Sequence, residues 1–237
     1  MSEKPSRRRF LQASLTLIPV VTLAPHTAFS ATPSPRGDDS TESSSKFSPR
    51  YFTASEWAFI NAATEHLIPE DEMGPGATEC GIPEFIDRQM ETPYAHGALW
   101  YMQGPFLPDV APEFGYQQRL TPREIYRSGI KACDSACQKN YGKPFATLDV
   151  ASQLNVLKQL ESGEITMEDM SATLFFSQLL KNTKEGYFAD PIYGGNKKMA
   201  GWKMIGFPGA RADFMDWIDH PNERYPLGPV SIDGQRS

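Results

Sequence analysis

The three cysteines are the residues best suited to metal or disulfide chemistry in this 237-residue sequence. Cys133 and Cys137 lie four positions apart, so on a helix both thiols would face the same side and could supply two ligands to a metal. No further ligands stand nearby, which argues against zinc. We expect instead that the pair lies at a helix–helix contact, where one thiol could pair with Cys80 and the other remain free or bond a partner protein. A bond between Cys133 and Cys137 themselves would be awkward within a regular helix.

His66 is a second candidate for chemistry, since it stands beside Glu65 and close to the acidic run Glu70, Asp71 and Glu72. A histidine with carboxylates nearby could bind a metal or act in acid–base catalysis. The simpler interpretation is a solvated acidic loop with a histidine near a helix C-terminus, where the helix dipole favours its positive charge.

The sequence contains none of the motifs that bind the common cofactors. It has no C-x-x-C-H for covalent haem and no four-cysteine run for an iron–sulfur cluster. It also has no G-x-G-x-x-G motif and no Walker loop, which would cradle a nucleotide. We therefore expect this chain to have no catalytic residues, no metal ligands and no cofactor-binding residues.

The most unusual stretch, residues 187–210, reads YFADPIYGGNKKMAGWKMIGFPGA and holds five glycines, five aromatic residues and two prolines. Its glycines and prolines predict turns, with positive φ permitted at 194–196, and its aromatic residues could simply pack the loop onto the preceding helix. A long ordered loop is also often a functional surface, and tyrosine and tryptophan are enriched at protein interfaces. With no cofactor motif present, we expect a partner protein to be its target. The predicted interface residues are Tyr187, Phe188, Asp190, Tyr193, Gly194, Gly195, Asn196, Trp202, Phe207 and Pro208, with Tyr193, Trp202 and Phe207 as anchors.

Residues 1–30 have the three parts of an export signal: three arginines, an apolar run over residues 13–24, and small residues before a cleavage point at Ala31. The run is too short to span a membrane, which takes ~20 apolar residues. The stretch SRRRFLQ resembles the S-R-R-x-F-L-K pattern of twin-arginine signals, with Arg7, Arg8, Phe10 and Leu11 at its defining positions. An arginine-rich signal of the general secretory type is the alternative. The resemblance implies a route that exports folded proteins.

Residues 31–50 are rich in serine, proline and charge, and we expect them to form a disordered, flexible linker before a domain over 51–237. Residues 1–30 hold four of the 23 basic and one of the 29 acidic side chains, so the remainder carries a net charge of about −9. Such a charge argues against a nucleic-acid partner and against docking on anionic lipid.

The secondary-structure elements that must position these residues are all predicted to be helices. Capping boxes at Thr53–Glu56 and Thr121–Glu124 predict two helix starts. No run combines a period of two with β-branched residues, so we expect a single all-α domain with long irregular loops. The apolar spacing predicts helices from Thr53 to Leu67, over 83–91, near 94–102, from Thr121 to Gly142, over 149–161, from Thr166 to Gly186, and near 210–218.

Several of these stretches resemble one family. FADPIYGGN at 188–196, followed by GWK at 201–203 and GFPG at 206–209, resembles the signature of the small, gamma-type subunit of gluconate 2-dehydrogenase, called subunit 3. The helix beginning at Phe52-Thr53 and ending in LIP at 67–69, the stretch GIPEFID at 81–87 and the twin-arginine leader add to the likeness.

The resemblance implies a non-catalytic subunit of a heterotrimeric, periplasm-facing dehydrogenase of sugars or sugar acids at the inner membrane. In such complexes a large subunit holds FAD and oxidises the substrate, and a multihaem cytochrome c passes the electrons on. The small subunit escorts the large one, which has no signal of its own, through twin-arginine export and stabilises it. The alternative is a stand-alone periplasmic metal-dependent enzyme that uses His66, Glu70 and Asp71.

Overall fold

The computed structural model describes residues 47–108 and 110–236, so the predicted signal and most of the predicted linker lie outside the described residues. Within this part of the chain the secondary structure is helical, with no strand beyond isolated bridges, which confirms the all-α prediction. None of the described helices is both long enough and apolar enough to cross a membrane. The α-helices are α1 (Ala54–Leu67), α2 (Ile82–Gln89), α3 (Pro122–Tyr141), α4 (Val150–Ser162), α5 (Ala172–Phe188) and α6 (Ala200–Ile205).

Both predicted capping boxes form. At the start of α1, the Thr53 backbone N–H donates to the Glu56 carboxylate at 2.9 Å, and the Glu56 N–H donates back to the Thr53 hydroxyl. Thr121 and Glu124 form the same reciprocal pair at the start of α3. Helix α3 ends at Gly142, whose φ of 71° is the left-handed conformation that glycine adopts without strain.

Two of the predicted helices do not form. Residues 91–99 make a series of turns, because Gly97 has a φ of +73° that interrupts any helix. The helix expected near 210–218 is reduced to a single 3₁₀ turn, Met215–Trp217.

Helix α5 has different ends from those predicted. It begins at Ala172 because Ser171, not Thr166, caps it, accepting a hydrogen bond from the Leu174 N–H at 3.2 Å. It continues through Gly186 to Phe188, since this glycine packs against a ring instead of ending the helix. A Cβ atom at Gly186 would lie 2.7 Å from the ring of Phe85.

Helix α5 is the centre of the domain and packs against α1, α2, α3 and α4. The buried Phe175 ring lies 6.0 Å from the Phe59 ring of α1 and 6.2 Å from the Tyr126 ring of α3. Gly129 of α3 makes the close approach possible, because a Cβ there would lie 2.3 Å from the Phe175 ring. The aromatic core therefore fixes α5 against its neighbours.

A buried polar network crosses this core, and the sequence patterns did not indicate it. The Asn182 side-chain oxygen accepts from the Tyr126 hydroxyl at 3.0 Å and from the Gln178 amide at 2.6 Å. The Gln178 amide also donates to the Tyr94 hydroxyl at 2.7 Å. Because each buried polar group has a partner, the network fixes the 91–99 turns to α5.

The N-terminal edge of the domain is held by Asp87 of α2, which is fully buried. Its carboxylate accepts hydrogen bonds from the backbone N–H groups of residues 50, 51 and 52 at 2.8, 3.1 and 3.0 Å. The Phe47 ring lies 5.6 Å from the Trp57 ring of α1. The packed domain therefore begins no later than Phe47, a few residues before the predicted boundary at 51.

Candidate interaction surface

Residues 187–210, which we call the signature segment, run from the last turn of α5 to Ala210, the residue after the GFPG stretch. They include two 3₁₀ turns, Pro191–Tyr193 and Lys197–Met199, and all of α6. The prediction of a loop without secondary structure is wrong for this segment, because glycine and proline separate helical pieces too short to show a period in the sequence.

Two glycines of the signature segment allow it to touch the end of α5 backbone to backbone. A Cβ atom at Gly195 would lie 2.3 Å from the carbonyl oxygen of Gly186, and one at Gly201 would lie 2.2 Å from that of Tyr187. No real Cβ contact is that short, so a larger residue would push the segment away from α5. These glycines therefore serve chain packing and do not cradle a ligand.

Asn196 closes the turn between these two glycines. It is fully buried, and its φ of 46° is a left-handed conformation that asparagine tolerates better than most residues. Its side-chain N–H donates to the Ala189 carbonyl at 2.9 Å, and its side-chain oxygen accepts from the Gly201 N–H at 2.8 Å. The single side chain thus joins the end of α5 to the start of α6.

The side chains of Asp190 and Trp202 also form hydrogen bonds within the chain. The Asp190 carboxylate accepts from the Ile192 N–H at 3.0 Å and from the Ile232 N–H at 2.7 Å, which fixes the C-terminal residues to the segment. The indole N–H of Trp202 donates to the Phe188 carbonyl at 2.7 Å, and this side chain is only 5% exposed. Trp202 is therefore a packing residue, which corrects the prediction that it anchors a partner.

The GIPEFID stretch of α2 and the signature segment contact each other. The Lys197 ammonium lies 2.7 Å from the Glu84 carboxylate, which also pairs with Arg88 one helical turn on. The Lys197 backbone N–H donates to the Cys80 carbonyl at 3.1 Å. A Cβ at Gly81 would lie 2.5 Å from the carbonyl oxygen of Gly194. These two sequence motifs therefore form one structural unit.

All three cysteines are buried free thiols. Cys80 lies beside Tyr187, and its burial, reinforced by the Glu79 carboxylate, raises the pKa of the Cys80 thiol to about 11. Cys133 and Cys137 are neighbours on α3, and the hydrogen bond between them together with burial raises the pKa of the Cys133 thiol. The predicted bond between Cys80 and a cysteine of α3 is not formed. The burial of all three also leaves no thiol at the surface for a partner.

His66 makes a structural contact in this fold. Its Nε2 lies 2.6 Å from the Gln153 side-chain oxygen, and the Gln153 amide donates to the Phe145 carbonyl at 3.0 Å. Glu70 and Asp71 are exposed. Over the described residues, no group of three or more His, Cys, Asp or Glu side chains is placed to hold a metal ion. The geometry therefore gives the metal-dependent alternative no support.

Apolar side chains of the signature segment remain exposed where a partner could contact them. Of the predicted interface residues, Phe188, Tyr193 and Phe207 are exposed and Pro208 is partly exposed, whereas Tyr187, Asp190, Gly194, Gly195, Asn196 and Trp202 are buried. The exposed large apolar side chains are Phe188, Ile192, Tyr193, Met204, Ile205 and Phe207, each between 37% and 57% accessible.

Ile192 and Ile205 had no signal in the sequence beyond their apolar character, and only their exposure in the fold distinguishes them from core residues. Together the exposed side chains make the signature segment a candidate protein-interaction surface.

Comparison with known proteins gave one match. A family model described as Gluconate 2-dehydrogenase subunit 3 matches residues 54–209. This range begins at the first residue of α1 and ends at the last glycine of the signature segment. No curated protein and no solved structure matches the chain.

Proposed function

The chain belongs to the gluconate 2-dehydrogenase subunit 3 family, and on that premise we propose that it is the small, non-catalytic subunit of a three-subunit gluconate 2-dehydrogenase. The match over residues 54–209 is the observation that carries the proposal. It includes every α-helix of the domain, so the likeness concerns the whole fold and not one motif.

The proposed task is to escort the FAD-containing large subunit through twin-arginine export and to stabilise it. The SRRRFLQ stretch supports this role, because a signal for folded cargo suits a chain that leaves the cytoplasm together with a bound partner. The exposed apolar side chains of the signature segment would form the contact.

In this proposal the cofactors belong to the partners: FAD to the large subunit and haem c to a multihaem cytochrome c subunit. The sequence supports that division, since it has no haem-attachment motif and no nucleotide-binding loop. The chain would work in the periplasm and reach the inner membrane as part of the complex.

Replacing the twin arginines tests the export role. In cells producing this chain and the large subunit, Arg7→Lys together with Arg8→Lys should leave both proteins in the cytoplasm, because the twin-arginine route reads that pair. Arg9→Lys is the matched control, since Arg9 occupies the variable position of the pattern. Fractionation with a flavin assay measures the outcome. Normal periplasmic large subunit in the double variant would overturn the escort role.

A second experiment tests stabilisation. The large subunit produced without this chain should be cytoplasmic and lose its flavin or be degraded faster than in the complex. Pulse labelling and flavin fluorescence measure both effects. An equally long-lived, flavin-loaded large subunit in the absence of this chain would contradict the stabilising role.

A further inference from the structure

The chain continues beyond the residues that match the family, and we call residues 211–236 the C-terminal arm. The Val230 N–H donates to the Pro208 carbonyl at 3.2 Å, and the Ile232 N–H donates to the Asp190 carboxylate at 2.7 Å. Within the described part of the chain, the hydrogen bonds that join the arm to the rest all go to residues 190–210. The arm is therefore built on the signature segment and not on the helical core.

The arm exposes large apolar side chains to an unusual degree for a short segment. A small aromatic cluster shapes it, in which the Tyr225 ring lies 5.3 Å from Phe214 and 5.7 Å from Trp217. The exposed side chains are Phe214, Met215, Ile218, Leu227 and Ile232, between 40% and 73% accessible. Side chains of this kind left in water usually mark a surface that another molecule covers.

The exposed apolar side chains of the arm and those of the signature segment form two sets, and the arm is joined to the segment beside members of the second set. Ile232 is joined to Asp190, two residues before Ile192, and Val230 is joined to Pro208, which follows Phe207. A large apolar side chain has an accessible area of about 200 Å² when it is fully exposed. With the exposed fractions given above, each set therefore presents roughly 500 Å² of apolar surface. A stable protein interface buries about 800 Å² on each partner. Neither set reaches that area alone, whereas the two together exceed it.

We propose that the C-terminal arm and the signature segment form one continuous docking surface for the FAD-containing large subunit. This inference rests on the proposed function, because an escort must hold its cargo throughout transport and so needs an interface of full size. The arm holds five acidic and three basic side chains, which argues against an anionic membrane as the occupant. The arm lies outside the residues that the family model matches.

Charge substitutions on the arm test the proposal. Met215→Glu and Ile218→Glu should each weaken binding of the purified large subunit at least tenfold, because a carboxylate would be buried against an apolar partner. Val150→Glu is the matched control, since Val150 is also exposed, at 65%, but stands at the start of α4. Titration gives the dissociation constant, and circular dichroism with thermal melting checks that each variant is folded.

The outcomes separate this inference from the proposed function. If the arm variants bind like the unmodified chain while Tyr193→Glu and Phe207→Glu bind weakly, the arm is not part of the interface and the escort proposal stands. If the unmodified chain binds no large subunit, the proposed function itself fails. If light scattering shows a dimer of this chain that Met215→Glu dissociates, a second copy covers the arm and the inference is wrong. An equal loss of affinity in Val150→Glu would also overturn the inference that the arm is part of the docking surface.

Discussion

Asn196 shows how one polar side chain holds the signature segment in place. It occupies a left-handed conformation, is fully buried, and donates and accepts one hydrogen bond each across the turn between α5 and α6. Asn196→Ala should lower the free energy of unfolding by about 3 kcal/mol, because the buried Gly201 N–H and the partly buried Ala189 carbonyl would both lose their hydrogen-bond partners. Denaturant unfolding measures the change.

Asn222 provides the matched control for this substitution. It also has a positive φ, at 66°, but it is exposed. Asn222→Ala should therefore show only the backbone cost of alanine in a left-handed conformation, about 1 kcal/mol. If both variants lost the same free energy of unfolding, the Asn196 hydrogen bonds would contribute nothing to stability.

The buried Cys80 thiol makes the stability of the domain dependent on pH. The pKa of Cys80 is raised to about 11 by burial and by the nearby Glu79, whereas a thiol in an unfolded chain titrates near ~8.5. Between these values the unfolded chain loses the proton first, so the free energy of unfolding falls as pH rises from about 9 to 11. Because this linkage lowers the free energy of unfolding by about 2 kcal/mol between pH 8 and pH 10, Cys80→Ala should remove a fall of that size. Denaturant unfolding at the two pH values tests this, and identical pH dependence in the variant would contradict it.

At the scale of elements, glycine decides how closely the signature segment packs on α5. Gly195→Ala would place a Cβ against the Gly186 carbonyl, which is backbone and cannot turn aside. We expect a loss of about 2 kcal/mol or more in the free energy of unfolding, together with faster amide hydrogen exchange over residues 187–207.

Gly206→Ala is the comparison for this prediction. A Cβ at Gly206 would meet nothing within 4 Å, although the φ of +70° disfavours alanine. It should cost only about 1 kcal/mol and leave hydrogen exchange in α5 unchanged. If Gly195→Ala behaved like Gly206→Ala, the close packing would have no energetic role.

At the scale of the whole molecule, exposed and buried aromatic residues of the signature segment should respond differently to substitution. Tyr193→Ala and Phe207→Ala should each weaken binding of the large subunit by about 2 kcal/mol and lower the melting temperature less than Trp202→Ala does, because about half of each side chain is exposed. Trp202→Ala should instead lower the free energy of unfolding by about 3 kcal/mol, since its ring is buried. Titration and thermal melting separate the two effects. Weaker binding by a fully stable Trp202→Ala chain would contradict this assignment.

Local signals in the sequence are sufficient to predict most of the helices. The starts of α1 and α3 follow from Thr53 and Thr121, because each capping box involves residues only three positions apart. The start of α5 was placed wrongly at Thr166, since threonine and serine are both good caps and only packing selects Ser171. The end of α5 was placed wrongly at Gly186, because a glycine that stops a helix and one that makes room for Phe85 look the same in sequence.

The all-α class, the main helix starts, the net charge and the likeness to one family could be predicted from the sequence, because these depend on composition or on neighbouring residues. Which side chains of the signature segment are exposed depends on how the chain packs in three dimensions. Phe207 and Trp202 belong to the same run of glycine and aromatic residues, yet one is exposed and the other is buried. That difference arises because the segment folds back onto α5 and α2, whose contacting residues lie far away along the chain.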